Sequence, residues 1–417
     1  MIDRYNQKDV EQIFSDENKF KLMLEIHKFL FLNKEYFNNS DYSRDRIIEI
    51  FNNIKIDIDR IRELEQQTRH ETIAFNKSVE EQLDTTLARQ LHFGLTSSDL
   101  LDTSLMLQID SAISLINDEI NLLLNSIELF YKNNSKTIIC GRTHGQLAEP
   151  ISLGRKFYNF YDEINSISYW NNSLPGKLSG PVGNNFSFSK QIETDVLRVI
   201  SNGRLYPSNT TQVIPRDVIV EIIIVGARLA TALERMTQEI RHLSRTEIGE
   251  LSEGFKEGQT GSSSMPHKKN PIGSENISGV ARIIRSHVQI SLENCLLWNE
   301  RDISHSSSER IMIPEHFNLL VYMIRRTKSI IDNLQVNHEQ IQKNLEHNEI
   351  YSSIVFDYLL KNVDKNFTRN FIYRELQKEF NNKQNTFDQI INNLNVTFGI
   401  NINLTKEKCL EMVKECF

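Results

Sequence analysis

Apolar residues recur at alternating spacings of three and four through the middle of this chain. Ile109, Ile113, Ile116, Ile120, Leu123, Ile127 and Phe130 form one such series. Ile219, Ile222, Gly226, Leu229, Leu233, Met236, Ile240 and Leu243 form a second. Ile277, Val280, Ile284 and Val288 make a third, and Phe317, Leu320, Ile324 and Ile331 a fourth. A helix turns once every ~3.6 residues, so this spacing keeps one face apolar and predicts α-helices meeting along a seam. The series predict helices of about thirty residues or more, running near parallel. Strand-like alternation is scarce, and Lys136-Thr137-Ile138-Ile139-Cys140 is the best candidate. The expectation is an all-α protein with a central bundle of long helices. Helices of that length carry more apolar face than one subunit covers, so the bundle is expected to be shared between subunits.

Four polar clusters interrupt the pattern. They are Thr68-Arg69-His70-Glu71, His92 to Asp99, Gly141-Arg142-Thr143-His144-Gly145-Gln146 closed by Glu149-Pro150, and Gly261 to Pro271. The last packs glycines, serines, lysines and two prolines into one run. It cannot be regular helix, because proline lacks the amide donor and pushes the residue before it out of the α region. Fourteen of the 16 glycines fall between Gly141 and Gly279, so close backbone approach is concentrated there. Breaks near Gly94 and His347-Asn348 divide the chain into an N-terminal helical segment 1–93, a central long-helix segment 94–347 and a C-terminal helical segment 348–417.

Composition narrows the function. A chain of 417 residues with a net charge of −7 shows no basic stripe of the kind a nucleic-acid binder carries. Apolar runs such as Ile222 to Val225 are far too short to span a bilayer, and the polar start does not read as a signal peptide. The four cysteines (Cys140, Cys295, Cys409 and Cys416) have neither paired nor metal-binding spacing and fit a reducing cytoplasm. With no HExxH motif and no P-loop, neither a metal nor a cofactor is expected.

Taken singly, each cluster has an ordinary reading. Thr96-Ser97-Ser98-Asp99 reads as a helix cap with Ser98 or Asp99 as the N-cap, Arg142 to Gly145 as a turn, and any one histidine as a surface or core residue. Together, histidines, serines, lysines and arginines at successive breaks suit proton transfer on an anionic substrate. His144 is the candidate general acid, being the side-chain type that changes charge near neutral pH. Glu275 would orient it, and Lys268 would stabilise charge developing on a carboxylate. A serine hydroxyl serves as a base only when positive charge and amide donors surround it, which a glycine-rich loop bearing Lys268 supplies.

The run Gly261 to Pro271 resembles the GSSxMPxKxNP signature of the fumarase/aspartase superfamily. His267 before Lys268, the Arg142-Thr143-His144-Gly145-Gln146 region, His92 to Thr103, Arg4-Tyr5 and Arg301 to Arg310 resemble its adenylosuccinate lyase branch. The resemblance covers nearly the whole chain. It implies a three-domain homotetramer with a 20-helix core and active sites built from three subunits. The implied reaction is an anti β-elimination of fumarate from a nucleotide substrate, either adenylosuccinate or succinylaminoimidazole carboxamide ribotide. By resemblance, Ser262 is the base, His144 the acid paired with Glu275, and Lys268 and Asn270 hold the succinyl carboxylates. His70 with Arg69, Thr96 and Ser97 would line the substrate site, together with Glu71, His92 and Ser263. Arg4, Tyr5, Gln212, Asn276, Arg301, Ser306 and Arg310 would contact the nucleotide end. Glu71 replaces a usual aspartate, and Asn185 ends a Gly180-Pro181-Val182-Gly183 turn where threonine is more usual. The rivals are a carboxymuconate cycloisomerase-like enzyme and a structural protein on the same scaffold.

Overall fold

The computed structural model describes residues 2–167, 173–254, 264–265 and 267–416. Among them the chain opens with α1 (Lys8–Ile13), α2 (Asp16–Phe31), α3 (Arg44–Asn53), α4 (Ile58–Thr68), α5 (Glu71–Glu80) and α6 (Thr85–Gln90). The first long helix, α7 (Ser97–Asn133), leads into a hairpin of β1 (Ile138–Thr143) and β2 (Gln146–Ser152). Then come α8 (Leu153–Ile167), β3 (Leu174–Gly176), α9 (Lys190–Ile200), β4 (Leu205–Pro207), α10 (Asp217–Leu243), β5 (Leu251–Ser252), α11 (Ile272–Glu293) and α12 (Ser304–Asp332). The chain ends with β6 (Gln335–Val336), α13 (His338–Leu345), α14 (Ser352–Asn362), α15 (Arg369–Asn381), α16 (Phe387–Phe398) and α17 (Lys406–Lys414).

The four apolar series fall on α7, α10, α11 and α12, and nearly every member is buried, from Ile109 and Ile116 to Leu320 and Ile324. α7, at 37 residues, exceeds the expected length. α10, α12 and α11 reach 27, 29 and 22 residues, because polar turns and Pro271 end the pattern sooner. The predicted strand is β1, which runs on to Thr143 and pairs antiparallel with β2. It belongs to one of three two-stranded ladders among the described residues. No helix among the described residues is long and apolar enough to cross a membrane.

The chain forms two compact units. The first comprises residues 1–120, 167–230 and 280–324, and the second residues 121–166, 231–279 and 325–417. The core of the first gathers Ile109, Ile113 and Ile116 of α7 with Ile219 and Ile223 of α10 and Phe317, Leu320 and Ile324 of α12. That of the second holds Leu233, Met236 and Ile240 of α10, Phe157 and Phe160 of α8, and Leu359, Ile390 and Leu394 of the C-terminal helices.

Candidate active site

Two of the four polar clusters lie in the first unit, each where one helix ends or the next begins. Arg69 closes α4 in the left-handed region at φ 52°. His70 then N-caps α5, its Nδ1 accepting from the Ile73 amide at 3.4 Å. Glu71 follows in the first helical turn, where a carboxylate is favoured by the helix dipole. Its two oxygens accept from Lys19 Nζ at 2.5 Å and Arg310 Nη2 at 3.2 Å, so this acid ties α2 and α12 to α5. His92 is also left-handed, at φ 62°. Burial holds its imidazole down to about 4, with His70 adding repulsion. His27 lies edge-on to it at 5.8 Å, and burial takes His27 lower still, to about 3.

Neither Ser98 nor Asp99 is the N-cap that the sequence suggests, because both lie inside the helix. α7 starts at Ser97, and Asp99 reaches back from inside the first turn to accept the Thr96 amide at 2.6 Å. The carboxylate satisfies that amide from the third helical position, so the helix begins earlier than the Ser-Asp pair suggests. Arg301 Nη1 donates to Gln212 Oε1 at 3.4 Å, and Gln212 Nε2 donates to the Pro181 carbonyl at 3.1 Å. Tyr5 packs edge-on against Tyr322, and its carbonyl accepts from Asn318 of α12 at 2.8 Å. This docks Arg4-Tyr5 on the helix that carries Ser306 and Arg310.

A cavity of about 380 Å³ opens in this unit. Lys19, Arg301, Ser306 and Arg310 stand on its wall with Glu71, Asp102, Arg216, His305 and Glu309. Two buried nitrogens in residues of this wall, Arg301 Nε and His305 Nε2, have no hydrogen-bond partner among the described residues. A buried donor without a partner is costly, and an anionic ligand entering here would meet the guanidinium groups.

In the second unit, Thr143 pairs with Gln146, leaving His144 and Gly145 as a two-residue hairpin loop with φ 54° and 75°. Positive φ at both positions is the geometry of a type I′ turn, and it presents the exposed His144 at the tip. His144 therefore stands on a hairpin rather than at a helix break. Arg142 makes a bidentate pair with the buried Glu250 at 2.9 and 3.0 Å, which anchors the hairpin base. Lys268 is exposed, and its amide donates to the Met265 carbonyl at 3.0 Å. Glu275 lies in the first turn of α11, and Asn276 follows it in the helix. Glu253 caps that helix, accepting from the Gly273 amide at 3.0 Å and the Ser274 amide at 2.7 Å. Ser262 and Ser263 lie outside the described residues.

Sequence reasoning missed Lys19, Asp102, Arg216, His305 and Glu309. Their apolar neighbours carry the periodic signal, and nothing in a sequence marks which buried charge will pair with which. Of the residues the sequence did single out, Arg69, His92 and His144 are three of the six non-glycine residues at positive φ among the described residues, a geometry that gathers at functional sites.

A lyase family profile matches residues 5–285. The adenylosuccinate lyase of Streptococcus mutans is 39% identical over 350 residues, covering 83% of this chain and 80% of its own. That of Aquifex aeolicus is 36% identical over 387 residues, covering 91% and 87%. Among solved structures, a fumarate lyase from a Mesorhizobium strain superposes with a TM-score of 0.81 at 20% identity, covering 99% of this chain and 94% of that one. The 3-carboxy-cis,cis-muconate lactonizing enzyme of Pseudomonas putida gives 0.81 at 21%, covering 98% and 93%. At such identities the structural likeness establishes the fold and nothing finer.

Proposed function

The chain belongs to the lyase family, with adenylosuccinate lyases among its relatives, and from that premise we propose that it eliminates fumarate from adenylosuccinate, giving AMP. The second substrate is succinylaminoimidazole carboxamide ribotide, giving AICAR. Kinship carries this reading: identity of 36–39% to adenylosuccinate lyases extends over most of the chain. The cycloisomerase alternative rests on fold likeness at 20–21% identity.

The reaction needs a base and an acid on opposite faces of the substrate, and charge stabilisation between them. Ser262, as the alkoxide, takes the proton from the carbon next to a carboxylate. The electron pair moves into the new C=C bond as the C–N bond breaks, and His144, oriented by Glu275, protonates the departing nitrogen. Lys268 and Asn270 hold the succinyl carboxylates on which negative charge builds, and Ser263 lines the substrate. Arg69, His70, Glu71, His92, Thr96 and Ser97 line the substrate. Arg4, Tyr5, Gln212, Asn276, Arg301, Ser306 and Arg310 receive the nucleotide end, where arginine suits phosphate better than lysine through its planar fork.

The assembly belongs to the same proposal: a cytoplasmic homotetramer whose sites draw on three subunits, with sequential domains 1–93, 94–347 and 348–417. The long helices support it, because Leu129 of α7 and Ile311 of α12 leave apolar side chains 63% and 70% exposed. The test is the ultraviolet change as adenylosuccinate becomes AMP and fumarate. Turnover is expected in the native protein, and loss of at least about a hundredfold in Ser262→Ala and His144→Ala. Lactonisation of carboxymuconate without cleavage of adenylosuccinate would overturn the function. Near-native rates in either variant would overturn that residue's role.

A further inference from the structure

The first two turns of α7 carry two buried carboxylates, Asp99 and Asp102, three residues apart and so on one face. Each grips a buried cation from a distant segment. Asp99 Oδ1 accepts from Lys177 Nζ at 2.5 Å and from the Ser179 and Gly180 amides at 3.0 and 3.2 Å. Asp102 takes Arg216 in a fork, Nη2 to Oδ1 at 2.8 Å and Nη1 to Oδ2 at 3.1 Å, and also accepts the Ile214 amide at 2.8 Å. Arg216 continues to α12: its Nε meets Glu309 Oε1 at 3.1 Å, and Glu309 Oε2 accepts from His305 Nδ1 at 2.9 Å.

Lys177 and Asp99 are fully buried, and Arg216 is 3% exposed. Desolvating such groups offsets most or all of the Coulombic gain, and packed apolar residues of similar volume often serve stability as well or better. The network is therefore poorly explained by stability. Its placement offers a better reason. The groups it fastens together are the Thr96-Ser97 start of α7, the turn after β3, the start of α10, and the α12 turns bearing Ser306 and Arg310. Arg216 lines the cavity, yet its donors go to Asp102, the Ile214 carbonyl and Glu309. It acts through other residues.

We propose that Asp102, Arg216 and Glu309 are positioning residues that hold the Arg301–Arg310 wall in register for the phosphate of the nucleotide, with Asp99 and Lys177 setting Thr96-Ser97 in the same way. This rests on the adenylosuccinate lyase reading. The Asp102–Arg216–Glu309 arm reaches the Arg301–Arg310 wall and not Lys268 or Asn270, so its loss falls on nucleotide affinity and spares the succinyl end.

The test compares inhibition constants of AMP and fumarate, with kcat and KM for adenylosuccinate, in Asp102→Asn, Glu309→Gln and Arg216→Met. Near-ultraviolet circular dichroism checks folding, and the isosteric Glu309→Gln carries the test where a harsher change unfolds the protein. The AMP constant and KM are expected to rise about tenfold or more, with kcat and the fumarate constant within about threefold of native. Arg216→Lys, which keeps charge but loses the fork, should fall between. Folded variants that lose thermal stability yet keep the native ratio of AMP to fumarate affinity would overturn the positioning role. A native protein that binds AMP calorimetrically but does not cleave adenylosuccinate would overturn the function alone, because the variants' AMP affinity still reads the clamp.

Discussion

His316 and His287 show how much one buried residue type can decide. Their Nδ1 atoms lie 3.3 Å apart in the core of the first unit. Burial holds His316 down to about 3, with repulsion from His287 adding to it, and burial alone holds His287 at about 4. Both folded values lie below the ordinary 6.5, so the unfolded chain takes up more protons between them. Their neutral forms thus contribute fully above pH 6.5, and stability falls as the pH drops from there toward 4. Each such histidine adds up to about 1.4 kcal/mol per pH unit to that slope. Urea unfolding across this range should show the fall, and His316→Gln, whatever it does to overall stability, should flatten it. An unchanged slope in the variant would count against this assignment. None of this was legible in the sequence, where both histidines sit among the residues of ordinary helical patterns.

The elements themselves were more legible, because helix periodicity is a local property. Gly226 is the informative exception. It occupies an apolar position in the second series, inside α10. In the fold, a Cβ at Gly226 would lie 2.1 Å from His316 Nε2, and His316 is wholly buried against Phe317 and His287. Alanine is the better helix former by about 1 kcal/mol, so an isolated helix would gain from Gly226→Ala. Here overpacking, about 1–3 kcal/mol, should win, giving a lower thermal midpoint. A raised midpoint would mean that the α10–α12 contact yields more easily than it looks. The hairpin was half legible: the β1 apolar run announced a strand, but only the pairing of Thr143 with Gln146 turns His144-Gly145 into a tip. The Asn185 departure finds its reason at this scale too. Asn185 adopts φ 51° and donates to Glu193 at 3.1 Å, closing the turn that follows β3.

For the whole molecule, the exposed apolar side chains on the long helices and the loop between α11 and α12, where Leu296 and Trp298 are 77% and 78% exposed, argue for burial between subunits. Light scattering should give the mass of four 48.6 kDa chains, and a stable monomer would contradict the assembly. Mixing inactive Ser262→Ala with inactive His144→Ala should restore part of the turnover, since some mixed sites draw both native residues from different chains. Absence of rescue with subunit exchange confirmed would argue that each site lies within one chain. The sequence by itself determined the helices, the hairpin strand, and the types of residue able to move protons and hold carboxylates and phosphate, because periodicity and motif spacing are written over short stretches. Only the tertiary structure decided which buried charges meet. Asp99 and Lys177 are 78 positions apart, and Asp102 and Arg216 are 114 apart. A carboxylate's partner is chosen by proximity and desolvation after the chain has packed, and no local pattern encodes that choice.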